Sequence, residues 1–562
     1  MDYDIKIAGG TLVDGTGAPG VRGDVGIRGG RVVALGKAPG HARRTLAADG
    51  LVVAPGFVDI HTHYDAQVLW DRMMTISPWH GVTTVVAGNC GFGVAPTRAA
   101  HRELILRTLE NVEGMSYAAL RAGVGLDWPF ETFGEYLDTV EARGTAINFS
   151  ALLGHTPLRL YVMGEEATER EATDEEIRRM RALVREALEA GAIGFATSKA
   201  ATHVGYAGKP VPSRAAHMDE IRFLAGALKE VGRGLVQATV GKELFHEEFA
   251  VLARETGRPV TWTALLSGMG GPGGYRRHLE RTAELRTQGL HVVPQVTCRP
   301  LNFEYQYSDP FIFGSMDVFD PVFRTDRAGR IALYRDPGFR RRVKERSAPD
   351  ARSVFQSWYE RTVIATNPQD PGSEEHSVGD VARARGVHPV DLALDIALQT
   401  DLTARFRMAV MNFDEGEVRD LLTDPHCVLG LSDAGAHASQ LCDACYSTHL
   451  LGHWVRETGT LSLEQGVRML TSTPAALFGL TDRGRLAEGL PADVTVFDPA
   501  TVGAGGLKRV HDLPHAADRL ISEAAGIHAV LVNGTVVRFE GRDALDVEGP
   551  LPGRVLRGGH AA

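Results

Sequence analysis

The sequence predicts an α/β fold: a (β/α)8 TIM barrel with a small β-sandwich domain built from both termini and an insertion between strands 7 and 8 of the barrel. Short strands bounded by Gly pairs at both chain ends predict the sandwich. Eight apolar runs that alternate with helical patterns predict the barrel. The seventh and eighth runs lie about 130 residues apart, which is too long for an ordinary connection and predicts the insertion. We therefore place the sandwich at residues 1–54 and 485–562, the barrel at 55–484, and the insertion at about 300–375.

The two ends of the chain share one pattern, in which apolar residues alternate with polar ones and Gly marks the turns. Near the amino terminus it covers residues 5–10, 25–30 and 31–35, and near the carboxyl terminus it returns at 492–497 and 529–537. Alternation with a period of two between Gly-rich turns is typical of half-buried hairpin strands. Because a different pattern separates these β-rich ends, we expect them to meet in one small domain.

The middle of the chain alternates between strand-like runs and helices. One helix is predicted to begin at the capping box of Thr173 and Glu176, to place Ile177 and Met180 on its apolar face, and to end at Gly191. Buried strands that alternate with such helices are what a (β/α)8 barrel requires. The eight strand-like runs are residues 56–60, 82–87, 146–153, 192–197, 235–240, 259–265, 291–296 and 427–431.

The predicted insertion begins with an aromatic-rich segment. Its residues 302–323 include Phe303, Tyr305, Tyr307, Phe311, Phe313, Phe319 and Phe323. On a barrel, such a segment is compatible with a lid or an apolar pocket wall, because barrel loops commonly carry function. A small hydrophobic core of the insertion itself explains the same residues equally well.

Composition and charge exclude several classes of protein. The chain has 562 residues, of which 44% are hydrophobic and 23% charged, as in an ordinary globular protein. Sixty Lys and Arg against 70 Asp and Glu give a net charge of −10. This charge argues against nucleic acid or an anionic membrane as a partner, because both bind basic surfaces. No apolar run approaches the roughly 18 residues that a membrane helix needs.

Cysteine content and the start of the chain bear on the compartment. Five Cys are too few for a disulfide scaffold, which favours a reducing environment. Residues 1–8 show neither the charged nor the apolar segment of a signal peptide. We therefore expect a cytoplasmic protein that acts on a small molecule, and leave open whether it forms a homo-oligomer.

Two His and one Cys follow the first two predicted barrel strands. His61 and His63 share one face at the end of run 56–60, because successive strand residues point to opposite sides. The carboxyl ends of barrel strands form the catalytic mouth, where two imidazoles make half of a metal site. Cys90 follows the second strand and could add a thiolate, which suits Zn²⁺. The alternatives are His that cap a backbone group or face solvent, and an inert buried thiol.

Asp433 follows the eighth predicted strand. At that position a carboxylate reaches both a metal and its bound water, which suits a general acid and base. An Asx turn in Asp433-Ala434-Gly435 accounts for the same residue. The sequence pattern alone leaves both interpretations open.

These residues carry a resemblance to the amidohydrolase superfamily and, within it, to the D-aminoacylase-like branch of N-acyl-D-amino-acid deacylases (amidohydrolase family 3). The resemblance implies a (β/α)8 barrel, a β-sandwich from both termini and an insertion in the seventh connection. It also implies that His61 and His63 bind metal, that Cys90 is the distinctive thiolate ligand, and that Asp433 is the catalytic carboxylate. The matching stretches are residues 55–65, 79–86, 88–91, 190–198, 431–433, 470–475 and 489–494.

The chain also departs from that branch. Its members place one His on strand five and one on strand six, whereas residues 234–240 and 260–265 contain none. Either a single metal binds to His61, His63 and Asp433 with help from Cys90, or another group replaces the missing ligands. We expect one Zn²⁺ and leave a second open.

Three further residues are candidates for substrate binding. Lys199 follows strand four, where some superfamily members carry a carbamylated lysine that bridges two metals; a solvent-exposed lysine or one that binds a substrate carboxylate is the alternative. His155 and His203 also end strand-like runs and could polarise a substrate carbonyl. Hydrogen-bonded loop histidines are the competing interpretation.

The expected function is metal-dependent hydrolysis of a C–N amide bond in an N-acyl amino acid or a related small amide. A metal-bound water is the expected nucleophile, and Asp433 the general base and then acid. Because the His of strands five and six are missing, a repurposed decarboxylase, lyase or cyclase is a second hypothesis. A non-catalytic scaffold is a third, against which the joint presence of His61, His63 and Asp433 weighs.

Overall fold

The computed structural model describes residues 2–351 and 355–561, which fall into two compact units. Unit 1 comprises Met1–Arg299, Asp414–Ala438 and Cys442–Ala562, and unit 2 comprises Pro300–Phe413 and Ser439–Leu441. All candidate site residues belong to unit 1.

The strands are numbered in chain order. Those before the barrel are β1 Tyr3–Leu12, β2 Val21–Arg28, β3 Arg31–Gly36, β4 Ala42–Ala47 and β5 Val52–Pro55. The next are β6 Phe57–Asp59, β7 Val82–Ala87, β8 Asn148–Ala151, β9 Leu153–Gly154, β10 Gly194–Ser198, β11 Leu235–Thr239, β12 Val260–Thr263 and β13 Val292–Val296. Unit 2 contains β14 Leu301–Gln306, β15 Thr362–Thr366 and β16 Arg405–Met411. The chain then forms β17 Val428–Leu429, β18 Val494–Phe497, β19 Gly503–Leu513, β20 Ala517–Ala525, β21 Ile527–Val532, β22 Thr535–Phe539, β23 Arg542–Asp543, β24 Leu556–Arg557 and β25 His560–Ala561.

The α-helices are numbered in the same way. Unit 1 begins with α1 Arg102–Glu113, α2 Tyr117–Val124, α3 Phe133–Arg143, α4 His155–Met163, α5 Asp174–Ala190, α6 Met218–Val231, α7 His246–Thr256 and α8 Tyr275–Thr287. Unit 2 contains α9 Asp320–Phe323, α10 Arg327–Arg335, α11 Pro337–Ser347, α12 Val378–Arg385 and α13 Pro389–Gln399. Unit 1 continues with α14 Glu415–Thr423, α15 Tyr446–His449, a π-helix at Leu450–Glu457, α16 Leu463–Leu470 and α17 Ser472–Leu477.

The terminal segments build a nine-stranded sheet. Its order is β23-β22-β21-β18-β5-β1-β2-β3, and β4 pairs with β1. The two chain ends meet where β18 pairs antiparallel with β5, from Val494 opposite Pro55 to Phe497 opposite Val52. The turn between β2 and β3 uses Gly29 at positive φ, which the two-residue hairpin requires. A separate antiparallel ribbon consists of β19 and β20.

The barrel strands form two arcs of parallel hydrogen bonding. One arc is β6-β7-β8, and the other is β9-β10-β11-β12-β13-β17. Leu152 links β8 to β9, and its amide donates to the Ala87 carbonyl at 2.9 Å. Between β6 and β17 the ladders do not close, but Thr62 and Ala434 form a parallel bridge just beyond both strands. Strands lie at all eight predicted runs, and the predicted barrel fold is confirmed.

Helix α5 shows how local sequence determines these elements. The Thr173 hydroxyl accepts from the Glu176 amide, the Glu176 side chain reaches back to Thr173, and Gly191 ends the helix as predicted. Met180 and Val184 lie on its buried face.

Unit 2 has its own hydrophobic core. Phe313 is fully buried; its ring stacks on Phe319 at 4.6 Å and meets Trp358 edge-on at 5.3 Å. Tyr305 and Tyr307 are buried in the same cluster. Four of the seven aromatic residues of the segment, Tyr305, Tyr307, Phe313 and Phe319, therefore form a hydrophobic core of the insertion itself.

The boundaries of unit 2 differ from the sequence-based interval of about 300–375. The unit extends to Phe413 because β14 pairs antiparallel with β16, from Leu301 opposite Met411 to Gln306 opposite Arg405. Nothing local in the sequence marks a pairing between segments so far apart. Within the described residues, no helix is both long and apolar enough to cross a membrane.

Candidate active site

Three predicted ligands come together at the carboxyl ends of the first two barrel strands. His61, His63 and Cys90 are all buried, and each offers one ligand atom within 4.8 Å of the others. In the described part of the chain, no other group of three or more His, Cys, Asp or Glu is arranged in this way. Two imidazoles and a thiol at this spacing are a donor set that suits Zn²⁺.

The backbone around these residues explains how they meet. The His63 amide donates to the Ala434 carbonyl at 2.7 Å, which fixes the segment after β6 against the segment after β17. Cys90 lies in a tight turn after β7, and its amide donates to Gln237 Oε1 at 2.7 Å. The turn needs Gly88, because a Cβ there would lie 2.1 Å from the Leu152 carbonyl oxygen.

His61 is held in one tautomer by Gln295. Its Nδ1–H donates to Gln295 Oε1 at 2.8 Å, because an amide oxygen can only accept. Nε2 therefore faces the site, 3.5 Å from Cys90 Sγ and 3.3 Å from Asp433 Oδ1. A hydrogen bond to the far ring nitrogen is the usual way in which proteins orient a metal-binding His.

His63 has a buried carboxylate as its partner. Its Nδ1 lies 3.1 Å from Oε1 of Glu113, the last residue of α1, and both side chains are at most 7% exposed. Its Nε2 lies 3.8 Å from Asp433 Oδ1. Burial lowers the pKa of His63, but the charge of Glu113 and contacts with Cys90 outweigh it and raise the pKa well above the usual value.

The Cys90 thiol is activated by its neighbours. Burial alone raises the pKa of the thiol, but the charges and hydrogen bonds of His61 and His63 lower it to about 6. The thiolate is the form that binds a metal. Cys90 is therefore no inert buried thiol, in contrast to Cys298, whose pKa is raised by burial.

Asp433 points its carboxylate at both histidines. It follows β17 at a φ of +46°, and its side chain is 21% exposed, so the carboxylate lies between the buried cluster and the open mouth. The turn that follows is held by the main chain, since the Ala436 amide donates to the Asp433 carbonyl at 2.8 Å. The Ala434 amide donates to Ser432 Oγ instead, at 3.1 Å. The Asp433 carboxylate thus faces the site.

His203 lies next to this cluster and is uncharged at neutral pH. Its Nδ1 is 2.7 Å from Ser198 Oγ, and its ring packs on Phe92 at 5.0 Å between centroids. Ser198 Oγ also accepts from the Ala200 amide at 3.2 Å. Burial, reinforced by His437 and His63, lowers the pKa of His203 to about 3.

His155 is part of a different network. Its ring is fully buried, with Nδ1 2.8 Å from Thr197 Oγ1 and Nε2 2.8 Å from Glu220 Oε1. Glu220 in turn pairs with the buried Arg159. Both nitrogens of His155 are engaged, so the ring holds α4 against β10 and α6 rather than presenting a group to the mouth.

Lys199 holds a backbone segment. Its Nζ donates to the carbonyl oxygens of Arg214 at 2.9 Å and Ala216 at 2.5 Å. The side chain is half-buried, and burial lowers the pKa of its amine. These contacts use the amine to fix the segment after β10, so neither carbamylation nor substrate binding is visible in them.

Strands five and six supply neutral side chains to the site. Gln237 of β11 accepts from the Cys90 amide, and its Nε2 lies 3.5 Å from Thr263 Oγ1 of β12. Thr263 also bonds to Thr239 at 3.2 Å. The absence of His from the two strands therefore leaves hydrogen-bonding groups there, but no further ligand of the kind that zinc prefers.

Sequence reasoning missed Glu113, Gln237 and Gln295. A signal existed for the two Gln, since each is a polar residue inside an otherwise apolar barrel strand, where interior side chains are normally aliphatic. Glu113 gave no signal, because the end of a helix after a long loop is an ordinary place for a Glu.

Comparison with known proteins identifies the family. Residues 44–538 match the sequence profile described as "Amidohydrolase family". The chain belongs to this amidohydrolase family. It is 33% identical over 543 residues to D-aminoacylase of Alcaligenes xylosoxydans xylosoxydans, covering 95% of this chain and 94% of that protein. It is 30% identical over 566 residues to N-acyl-D-aspartate deacylase of the same organism, covering 99% and 96%.

Solved structures of this amidohydrolase family agree with the fold. A D-aminoacylase matches with a TM-score of 0.67 at 28% identity, covering 98% of this chain and 99% of the other. An N-acyl-D-glutamate deacylase from Bordetella bronchiseptica, complexed with zinc and a phosphonate inhibitor, matches with a TM-score of 0.67 at 28% identity, covering 99% and 100%. The predicted resemblance is confirmed.

Proposed function

We propose that the protein is a zinc-dependent hydrolase of C–N amide bonds other than peptide bonds, acting on an N-acyl amino acid or a related small amide. The observation that carries this proposal is the buried His61–His63–Cys90 cluster with the Asp433 carboxylate facing it. D-aminoacylase and N-acyl-D-aspartate deacylase, which share 30–33% of their residues with this chain, support the substrate class.

The donor set fits a single Zn²⁺. His61, His63 and Cys90 would hold it, with Asp433 as the fourth ligand. The fit rests on His61, whose Nδ1 is bound by Gln295 so that Nε2 faces the site, and on a thiol whose pKa is lowered to about 6. The ligands present suffice for one metal. A second metal would need His on strands five and six, which carry Gln237, Thr239 and Thr263 instead.

Asp433 is the group that moves protons in this proposal. When bound, Zn²⁺ supplies a Lewis acid that makes water acidic near neutral pH and polarises the scissile carbonyl. The Asp433 carboxylate accepts a proton from the attacking water and then delivers it to the leaving nitrogen, so that one group serves as base and then as acid. Its partial exposure lets it reach a substrate that enters from the mouth.

His203 completes the proposed machinery. In this proposal the Ser198 hydroxyl donates to Nδ1, which places the ring proton on Nε2, and the low pKa keeps the ring uncharged at neutral pH. A donor of this kind stabilises the oxygen of the scissile carbonyl as negative charge develops on it. We assign structural roles to His155 and Lys199, because their polar atoms form hydrogen bonds with other groups of the protein.

The compartment follows from the thiols. All five Cys are free, and in Cys90 the reduced thiol is a proposed ligand. We therefore assign the enzyme to the cytoplasm, where thiols stay reduced.

Product analysis tests the proposal. The purified protein, loaded with one equivalent of Zn²⁺, is incubated with N-acetyl derivatives of both enantiomers of several amino acids. Hydrolysis increases the summed product mass by 18 Da, the mass of the added water, and a decarboxylase or lyase gives a different balance. We expect hydrolysis that stops on chelation and returns with Zn²⁺. Turnover without water incorporation, or equal turnover after complete metal removal, would overturn the proposal.

A further inference from the structure

A cavity separate from the proposed active site lies at the amino-terminal ends of the barrel strands. It has a volume of about 730 Å³, and its wall includes His291, which precedes β13, and residues 425–428, which lead into β17. The His61–His63–Cys90 cluster belongs to the carboxyl ends of the strands, so the two sites are at opposite ends of the barrel. The volume falls within the range of about 300–1,000 Å³ that small-molecule pockets occupy. We call it the basal cavity.

The lining of the basal cavity is strongly basic. None of its lining residues is an Asp or Glu, although the chain as a whole carries a net charge of −10. Hydroxyl groups of Ser472, Thr473 and Thr481 contribute further donors. The basic and titratable lining residues are Arg286, Arg468, Arg483, Arg485, His291 and His426.

One of the four arginines is already neutralised. The Arg483 side chain is 1% exposed, with Nη1 2.8 Å from Asp482 Oδ2 and Nε 2.6 Å from Asp493 Oδ2. It also donates to Asn533 Oδ1 at 3.1 Å. These contacts make Arg483 a fixed part of the wall.

The other three arginines are charged without a protein counterion. All three side chains are exposed, and among the residues that the structure describes no salt bridge joins Arg286, Arg468 or Arg485 to a carboxylate. Arg286 lies in the last turn of α8, Arg468 lies in α16 and Arg485 lies in the loop after α17, so three separate parts of the chain bring positive charge to one cavity. A concave surface lined by one sign of charge raises the local concentration of counterions.

Of the two imidazoles, His291 contributes little positive charge of its own. Burial and the charge of Arg286 lower the pKa of His291, so that ring is neutral at physiological pH. His426 lies 3.1 Å from Asp424 Oδ1, and the same oxygen accepts from the His426 amide at 2.8 Å. The Asp424 carboxylate is thus engaged with His426 and leaves the three arginines uncompensated.

We propose that the basal cavity binds a small multivalent anion, a phosphate monoester or a polycarboxylate, through Arg286, Arg468 and Arg485. Guanidinium groups form bidentate, charge-assisted hydrogen bonds with both kinds of anion, and the fixed charge of Arg explains why three of them converge. The site is independent of the proposed hydrolysis, because it shares no residue with the His61–His63–Cys90 cluster.

Isothermal titration calorimetry on the full chain tests this site with two probes. Phenyl phosphate represents the phosphate monoesters and tricarballylate the polycarboxylates, each titrated at constant ionic strength in KCl. The test variant combines Arg468→Gln with Arg485→Gln. The control is Arg28→Gln, which removes an exposed arginine of β2 that likewise has no described carboxylate partner. A His61→Ala variant reports any binding at the barrel mouth.

The expected result is saturable binding of one probe per chain, at least ten-fold weaker in the double variant, and unchanged in the Arg28→Gln and His61→Ala proteins. The probe that binds more tightly identifies the class of anion. Absence of saturable binding by both probes would overturn the proposal. So would equal affinity in the double variant with native circular dichroism, or binding that is lost in the His61→Ala protein alone.

Discussion

The buried carboxylate of Glu113 lies within ion-pair distance of His63, one of the three proposed zinc ligands, and we propose that it orients the ring. Its Oε1 lies 3.1 Å from His63 Nδ1, and the side chains are only 7% and 6% exposed. Glu113→Gln keeps the shape and removes the charge. Partners of this kind typically contribute 10- to 100-fold to metal affinity, or about 1.4–2.7 kcal/mol. Two unit charges 4 Å apart attract by about 4 kcal/mol at an effective dielectric of 20. Because metal-bound His63 is a neutral imidazole, this value is an upper limit on the zinc-binding free energy that Glu113→Gln removes. We therefore expect the zinc dissociation constant to rise 10- to 100-fold.

Competition with a chromogenic zinc chelator measures this constant. The matched control is Glu103→Gln, which removes the same charge from the same helix, α1, at a residue that is 54% exposed and paired with Arg107. An exposed pair contributes little, so the control should bind zinc like the parent protein. If Glu113→Gln binds zinc as tightly as the parent while remaining folded, the proposed orientation of His63 by Glu113 is wrong.

Three further predictions concern catalysis, pH and the second unit. Asp433→Asn should lower kcat by at least about 100-fold while zinc stays bound; a zinc-loaded variant with parental kcat contradicts the assigned role. The buried His80 has a pKa of about 4 because burial disfavours its charged form. The unfolded chain therefore takes up this proton first as the pH falls. Protonation of His80 should lower the free energy of unfolding by about 3 kcal/mol between pH ~6.5 and ~4, so the parent protein should lose more stability over this range than His80→Gln. The same pH dependence of the free energy of unfolding in both proteins, measured by urea titration, would refute this prediction. Phe313→Ala should destabilise unit 2 by about 3–5 kcal/mol, whereas Phe323→Ala, at an exposed ring, should have little effect in the same titrations.

Much of the barrel was predictable because its signals are local. Each buried strand is a short apolar run, and helix α5 begins at Thr173 and ends at Gly191 through side-chain caps that the sequence spells out. The extent of unit 2 was not predictable in the same way. It depends on β14 pairing with β16 about a hundred residues later, and such non-local pairing leaves no mark in either segment alone.

The candidate site likewise contains residues that the sequence predicts and residues that it does not. His61, His63, Cys90 and Asp433 follow strand ends, so strand assignment predicted their place at the barrel mouth, and the family resemblance supplied the roles of Cys90 and Asp433. The partners that orient them come from residues without a pattern of their own, as with Glu113 at the end of α1. His155 shows the converse, since its position at a strand end resembles that of a ligand.

The buried contact between His155 and Glu220 shows that His155 has a structural role. A strand end therefore predicts which side chains reach the barrel mouth, and only the packed structure shows which of their polar atoms remain available to a ligand.

The central claim is that one zinc binds to His61, His63 and Cys90, and X-ray absorption at the zinc edge tests it most directly. With one equivalent of Zn²⁺ per chain, we expect one sulfur neighbour at about 2.3 Å and two imidazole nitrogens at about 2.0–2.1 Å. In Cys90→Ser the sulfur contribution should disappear while the imidazole contribution remains. A zinc without a sulfur neighbour in the parent protein, or tight binding of two zinc ions per chain, would contradict the claim.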